Sequence, residues 1–270
     1  MRIQHNITAL NAHRNLTNNN SAVGKNLEKL SSGYRINRAG DDAAGLAISE
    51  KMRAQIKGLE TAQKNAEDGV SLVQTAEGAL TEVHSMLDRM MELAVQSANG
   101  TYNQTNRDSM QEEINALNAE ITRIGATAKF NDSDVFTTTA VSFQIGETAA
   151  SANVLSVTVG TLDTTKTKTN DVTISTQQGA QEAIAKINSG IDEISKMRGS
   201  LGAVQNRLEH TINNLGAQTE NITAAESRVR DTDMAKEMMA YTKNNILVQA
   251  AQAMLAQANQ VPQGVLQLLQ

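Results

Sequence analysis

The chain has 270 residues and a formal net charge of -5, with 2% aromatic residues, no Trp and no Cys. So few large side chains cannot fill a wide globular core, and we expect helices packed side by side through small and aliphatic residues. The absence of Cys excludes disulfides, thiolate catalysis and Cys-ligated metal, and the acidic balance argues against a nucleic-acid partner. A single proline allows long helices without interruption.

Neither end of the chain reads as a membrane segment. Residues 1–6 have no apolar stretch followed by a cleavage site, so we expect no secretory signal peptide of the usual kind. Residues 246–269 are apolar but interrupted by Gln and Asn, which a helix surrounded by lipid would avoid. We therefore expect no transmembrane anchor and no membrane partner.

The segment before Ser31-Ser32-Gly33 predicts a first helix. It is amphipathic, with one slip in the helical spacing after Leu10, and it is rich in Asn. Such a polar terminal helix is marginal alone, so we expect it to become ordered only when it is paired. Its apolar residues are Ile3, Ile7, Leu10, Leu16, Val23, Leu27 and Leu30.

Two unbroken apolar rows at every seventh position predict two long helices that pack lengthwise. The first row is Met52, Leu59, Ala66, Val73, Leu80, Leu87 and Ala94. The second is Ile187, Ile194, Leu201, Leu208, Leu215, Ile222 and Val229. Asp41-Asp42 predicts a capped start for the first long helix, and Asn99-Gly100 predicts its end at a left-handed glycine. A shorter third helix is predicted by Met110, Ile114, Leu117, Ile121 and Ile124.

The character of the sequence changes between about residues 130 and 178. Short alternations at residues 141–145 and 154–159 predict strands or a hairpin, and the Thr/Lys run at 164–169 predicts an exposed turn or loop. The predicted fold class is mainly α: a long antiparallel helical bundle with a small β-hairpin region, whose terminal helices pair as a coiled coil.

Two long stretches resemble the signatures of bacterial flagellins. Residues 30–48 read LSSGYRINRAGDDAAGLAI, and residues 220–235 read ENITAAESRVRDTDMA; the end of the chain, with MLAQANQ at 254–260, is similar to the same family. The resemblance covers roughly the first half and the last third of the chain. Matches of this length are far more specific than a short motif.

The resemblance implies a structural subunit that polymerises into the flagellar filament for motility, with no catalysis, cofactor or metal. It also implies a domain organisation in which residues 1–40 and 235–270 form an inner-tube helical domain. Residues 41–234 then form a rod-like bundle with the β-rich excursion at about 130–178. The middle is short, so the outer variable domains of many relatives are expected to be missing.

Assembly into an open filament needs heterologous contacts, in which one patch of a subunit meets a different patch of the next. The resemblance assigns these contacts to the terminal helices, where the Ala-rich sequence lets backbones approach closely. It further implies an extracellular protein exported unfolded, with the export apparatus, an export chaperone, and the filament cap and junction proteins as partners. The predicted polymerisation residues are Ile7, Leu10, Leu27, Leu30, Val248, Leu255 and Leu266.

A surface patch on the first long helix is a second candidate site. At about 100° per residue, Arg89, Leu93 and Gln96 lie opposite the buried direction set by Leu87 and Ala94. By geometry alone, Leu93 is either a lone surface residue or buried against the third helix or a neighbouring subunit.

The resemblance sharpens this prediction. Residues 89 and 92–99 match the flagellin segment recognised by Toll-like receptor 5, and Glu113 occupies the matching place on the next helix. Asp88 and Met91 depart from the family pattern and remove or oppose positive charge, which implies weakened recognition. The predicted receptor and inter-subunit contacts are Arg89, Glu92, Leu93, Gln96 and Glu113.

Other classes of function compete with this reading. An enzyme is disfavoured because the middle segment has no His, Cys or nucleophile elbow and is short for a domain. The four histidines, His5, His13, His84 and His210, form no metal-binding motif. A helical adaptor and a hook-filament junction protein remain as alternatives. We interpret Met86, Met90, Met91, Met238 and Met239 as packing residues.

Overall fold

The computed structural model describes the backbone of residues 6–268 and the side chains of residues 6–260. This part of the chain is mainly α, as predicted. The helices are α1 (Ile7–Ser32), α2 (Ala43–Ala98), α3 (Gln104–Thr127), α4 (Gln177–Arg230) and α5 (Met234–Leu268). The strands are β1 (Lys129–Phe130), β2 (Ser133–Asp134), β3 (Val141–Gln144) and β4 (Val154–Val157), with a 3-10 turn at Ser151–Asn153.

The chain forms two compact units. Unit 1 combines Met1–Ile56 with Asn221–Gln270, and unit 2 is Lys57–Glu220. These divisions fall within α2 and α4, whereas the sequence prediction divided the chain near the helix breaks. The domain organisation into 1–40, 41–234 and 235–270 stays a prediction.

In unit 1 the two terminal helices pack against each other, as predicted. They run antiparallel, since the Asn6 side chain donates to the Ala258 carbonyl at 2.8 Å while the far end of α1 lies beside the start of α5. Helix α1 ends at Gly33, whose φ of 73° is the left-handed cap that glycine adopts without strain. The Thr232 N–H donates to the Gly33 carbonyl at 2.9 Å, which joins the two helix breaks of this unit.

The acidic pair before α2 has two separate roles. Asp42 caps the helix, because its Oδ1 accepts from the Gly45 N–H at 2.9 Å. Asp41 instead accepts from the backbone N–H groups of Arg38 and Asn37, and these hydrogen bonds lower its pKa. The predicted cap is therefore confirmed for Asp42, whereas Asp41 holds the preceding loop.

Unit 2 has one hydrophobic core formed by α2, α3, α4 and the segment between α3 and α4. The first apolar row is buried from Leu59 to Ala94 and the second from Ile187 to Leu215. Helix α4 runs antiparallel to α2, because Arg198 pairs with Glu77 at 3.5 Å while Gly69, earlier on α2, lies against Leu208, later on α4. The predicted antiparallel bundle is confirmed.

The end of α2 is held by a charged residue that sequence reasoning missed. The helix stops after Ala98, as predicted, but Gly100 is not left-handed. Arg107 of α3, only 7% exposed, donates instead to the carbonyls of Ser97, Asn99 and Tyr102. A cation at this position satisfies free carbonyls and meets the negative end of the helix dipole.

We expect Arg107→Met to lower the free energy of unfolding by about 2 kcal/mol, because buried carbonyls lose a charged donor. Urea unfolding followed by circular dichroism measures this change. The matched control is Arg123→Met on the same helix, whose exposed pair with Glu120 contributes little. An equal loss of stability in both variants would contradict the capping role.

The middle segment forms two antiparallel strand pairs. Strand β1 pairs with β2 through Lys129↔Asp134, and β3 pairs with β4 from Val141↔Val157 to Gln144↔Val154. Left-handed Asn131 and Asp132 form the tight turn of the first hairpin. The predicted strands are confirmed, although each is shorter than its alternating stretch.

The Thr/Lys run forms turns with Lys166 and Lys168 exposed, as predicted, but two of its threonines are not exposed. Thr167 and Thr169 are fully buried, and their hydroxyls lie 2.8 Å apart. The Asn118 amide donates to the Thr169 carbonyl at 3.0 Å, and Gly190 of α4 lets the Thr167 carbonyl approach its backbone. Polar residues can be buried here because their groups pair with one another and with the helices.

Candidate assembly surfaces

The terminal helices bury very little within the chain. In α1 the one buried residue is Asn26, and no residue of α5 between 234 and 260 is buried. The helices meet along a stripe of half-buried residues spaced by threes and fours. Leu30, Val248 and Leu255 lie in this stripe. The predicted polymerisation residues therefore include three that contribute to the pair itself.

The outward faces of the same two helices carry large apolar residues. At least half exposed are Ile7, Leu10, Leu27, Met238, Met239, Ile246 and Met254. Unit 2 by contrast exposes just two large apolar residues, Val95 and Val154, among those described. Met238 and Met239 were interpreted as packing residues; that interpretation is wrong for the subunit, whereas Met90 is buried and Met86 and Met91 pack on the core. The Leu266 side chain lies outside the described residues.

A cation–aromatic contact joins the two helix breaks of unit 1. The Arg230 guanidinium lies 4.4 Å from the centre of the Tyr34 ring and pairs with Glu50 at 3.5 Å. The Arg35 N–H donates to the Arg230 carbonyl at 2.7 Å beside it. Sequence reasoning missed this contact, because residues so far apart in the chain leave no spacing pattern.

The second candidate surface centres on Arg89. Its Nε lies 2.8 Å from Glu113 and its Nη1 lies 2.9 Å from Glu92, so α2 and α3 bring all three predicted residues together. These hydrogen bonds raise the pKa of Arg89, and the side chain remains exposed. Gln96 is also exposed and donates to the Tyr102 hydroxyl at 2.8 Å. The cluster is an ordered, charged surface.

Of the alternatives left open for Leu93, burial is the one observed, and the lone surface residue is wrong. Leu93 is 1% exposed and belongs to the core of unit 2. The prediction took Leu87 and Ala94 as the centre of the buried face, but α3 also covers one flank of α2. The buried arc therefore widens to about 140° at 100° per residue, and Leu93 lies at its edge.

The surroundings of Arg89 also include the two residues that depart from the family pattern. Asp88 is exposed and lies 3.6 Å from His84, while Met91 is half-buried against the core. No cluster of three metal-ligating side chains occurs in the described part of the chain. None of its helices is long and apolar enough to cross a bilayer.

These observations define a class of protein. Helices from opposite ends of the chain pair with each other and expose apolar residues. In sequence, they flank a helical bundle with a small β-rich middle. An unpartnered apolar surface of this extent marks a site of association. The chain is a self-associating helical building block.

Comparison with known proteins specifies the class. Residues 3–140 match the model of the bacterial flagellin N-terminal helical region, and residues 184–269 match that of the C-terminal helical region. Flagellin of Bacillus subtilis (strain 168) is 52% identical over 304 residues, and flagellin of Halalkalibacterium halodurans is 54% identical over 271 residues; both matches cover all of each chain. The chain belongs to the bacterial flagellin family, the structural subunits of flagellar filaments.

A solved structure supports the same fold. The crystal structure of Bacillus cereus flagellin is 30% identical, with a TM-score of 0.50, and covers 60% of this chain and 94% of that chain. The resemblance of residues 30–48 and 220–235 is thus confirmed. Full-length identity above one half with flagellins also favours the filament subunit over the hook-filament junction protein and the adaptor.

Proposed function

We propose that the subunit polymerises through the outward faces of α1 and α5, which contact other parts of neighbouring copies. One observation carries this proposal: these helices hold most of the exposed large apolar residues and bury almost none of their own. Burying such a side chain contributes about 1.5–3 kcal/mol, so burial of several per subunit favours assembly. The contacts are heterologous, because an open filament requires them.

Small residues on α5 support close contacts between copies. Alanine has no side chain beyond Cβ and allows helix backbones to approach each other. The alanines of this stretch are Ala250, Ala251, Ala253, Ala256 and Ala258. Leu266 extends the apolar part of the helix in sequence and is proposed as a further contact.

We further propose how the subunit is exported and which flagellar proteins it contacts. The chain is exported unfolded through the flagellar channel with an export chaperone, and meets the cap and junction proteins at its terminal helices. The absence of cysteine supports this route, since no disulfide can form and block threading. The proposed role is structural, extracellular and without catalysis.

We expect Leu10→Gln combined with Ile246→Gln to raise the critical concentration for polymerisation at least about tenfold, because two outward apolar contacts are removed. Purified subunit is seeded at neutral pH, and assembly is followed by sedimentation and negative-stain electron microscopy. The matched control is Val154→Gln, an exposed apolar residue of unit 2 that should leave assembly unchanged. Wild-type assembly of the double variant would contradict the proposal.

A second function is favoured by the exposed cluster around Arg89. We propose that the monomer is recognised by Toll-like receptor 5 through Arg89, Glu92, Gln96 and Glu113, with Leu93 supporting the surface from the core. The ordering of Arg89 by two carboxylates supports this, since a held side chain loses less freedom on binding. The same surface is proposed to contact neighbouring subunits in the filament.

We expect Arg89→Ala to reduce receptor activation at least about tenfold, because truncation of a central Arg removes a large share of binding energy. Asp88→Gln should raise activation, since it removes a negative charge beside Arg89. Receptor-dependent reporter cells treated with monomer measure both effects. Arg123→Ala, an exposed arginine elsewhere on α3, is the control. Equal activity of the Arg89 and Arg123 variants would refute this proposal.

A further inference from the structure

The contact between α1 and α5 contains one buried amide. Asn26 is 9% exposed. In the orientation that pairs both of its polar atoms, its Nδ2 donates to Glu237 at 3.2 Å and to the Ala22 carbonyl at 2.9 Å. Its oxygen accepts from Asn244 Nδ2 and from the Tyr241 N–H, both at 3.1 Å. The amide therefore has partners on every side, and three of the four belong to α5.

A buried polar group restricts the arrangement of two helices more than apolar contacts do. Apolar attraction is not directional. The other residues of α1 that face α5 are only half-buried, and several of them are small. Turning or sliding α1 would separate the Asn26 amide from Glu237 and Asn244. An unpaired buried amide is costly, so alternative arrangements are disfavoured. A single buried Asn selects the register of coiled coils in this way.

A second contact fixes position but not rotation. The Thr232 N–H bond to the Gly33 carbonyl holds the end of α1 beside the start of α5. Asn26 lies seven residues before Gly33, about 10 Å along the helix. The backbone bond therefore limits sliding, but it does not by itself determine which face of α1 meets α5.

We propose that Asn26 is a specificity-determining residue of the terminal helix pair. It sets the rotation of α1 against α5 and so keeps Ile7, Leu10 and Leu27 on the outward face for neighbouring copies. Rotation by one position, about 100°, would turn Leu27 toward the stripe and change the outward face. This inference rests on the proposed function of these helices in polymerisation.

The test uses the full chain, which contains no Cys, so two spin labels can be placed uniquely. Asn20→Cys and Lys243→Cys put one label on an exposed position of each helix. Double electron–electron resonance then measures the distance between the labels in monomer and filament. Asn26→Leu replaces the amide by an apolar group of similar size. The matched control is Asn18→Leu, an exposed asparagine of the same helix.

We expect Asn26→Leu to retain the helicity of the chain while the single label distance broadens or shifts by several ångströms. The critical concentration for polymerisation should rise about tenfold, which corresponds to about 1.4 kcal/mol. Asn18→Leu should change neither quantity. If Asn26 only stabilised the pair, its substitution would lower helicity and assembly together. Asn244→Leu, which removes the partner and leaves α1 intact, should reproduce the broadened distance.

Wild-type distance and wild-type assembly in Asn26→Leu would overturn the inference. If Asn26→Leu lost helicity, Asn244→Leu would decide, and an unchanged distance in that variant would also overturn it. A different result would contradict the proposed function: the chain with native Asn26 would form no filaments. In that case the monomer distances would still show whether Asn26 selects the arrangement of α1 and α5.

Discussion

Deletion of residues 249–270 is expected to abolish polymerisation while unit 2 remains folded. The deletion removes the end of the stripe that faces α1, including Leu255, and the exposed Met254 with it. The start of α1, where Asn6 contacts Ala258, then has no partner, and a polar helix of this kind does not persist in water. Seeded sedimentation and negative-stain electron microscopy measure the loss.

The same experiment contains its control. Lys57–Glu220 has its own core, formed without residues of α5, so its thermal unfolding should be unchanged. Circular dichroism should lose the helical signal of the terminal helices and keep the cooperative transition of unit 2. A truncated protein that still sediments as filaments would refute the assignment of assembly to the terminal helices.

Gly125→Ala is expected to destabilise unit 2 by about 1–3 kcal/mol, because a methyl group at this position would overlap the Leu162 carbonyl. Gly190→Ala should act in the same direction through the Thr167 carbonyl. Both changes push the connection between β4 and α4 away from the helices. Chemical denaturation of the full chain measures the change in the free energy of unfolding.

The matched control is Gly199→Ala on α4, where a Cβ meets nothing within 4 Å. Alanine is the better helix former, so this substitution should stabilise by about 0.5–1 kcal/mol. The sign of the effect therefore separates close approach from helix propensity. Destabilisation of all three variants to the same extent would contradict the packing described here.

The charged surface could be predicted only in part. Arg89, Glu92 and Glu113 were predicted from resemblance, and they lie together because α3 folds back along α2. The burial of Leu93 was not predictable from a single helix, since the width of a buried face depends on how many helices cover it. Arg107 carried no local signal, because its role depends on carbonyls at the end of α2 and in the turn that follows it.

The terminal surface shows the same division. Apolar spacing predicted α1 and its residues, but it could not separate Leu30, which faces the stripe, from Leu10, which faces away. That distinction depends on where α5 lies. The role of Asn26 was likewise invisible, because an asparagine in an Asn-rich helix reads as solvated unless its partners on α5 are known.

By itself, the sequence determined the helices, most of their ends, the β-rich middle and the family, because heptad spacing, capping residues and long signatures are local properties of the chain. Tertiary structure alone decided which apolar residues remain exposed, which polar residues are buried, and which charges meet. Burial and pairing are properties of surfaces brought together from distant parts of the chain. Thr167 was therefore predicted as exposed although it is buried, Leu93 was left open between surface and core, and Met239 was predicted as packed although it is exposed.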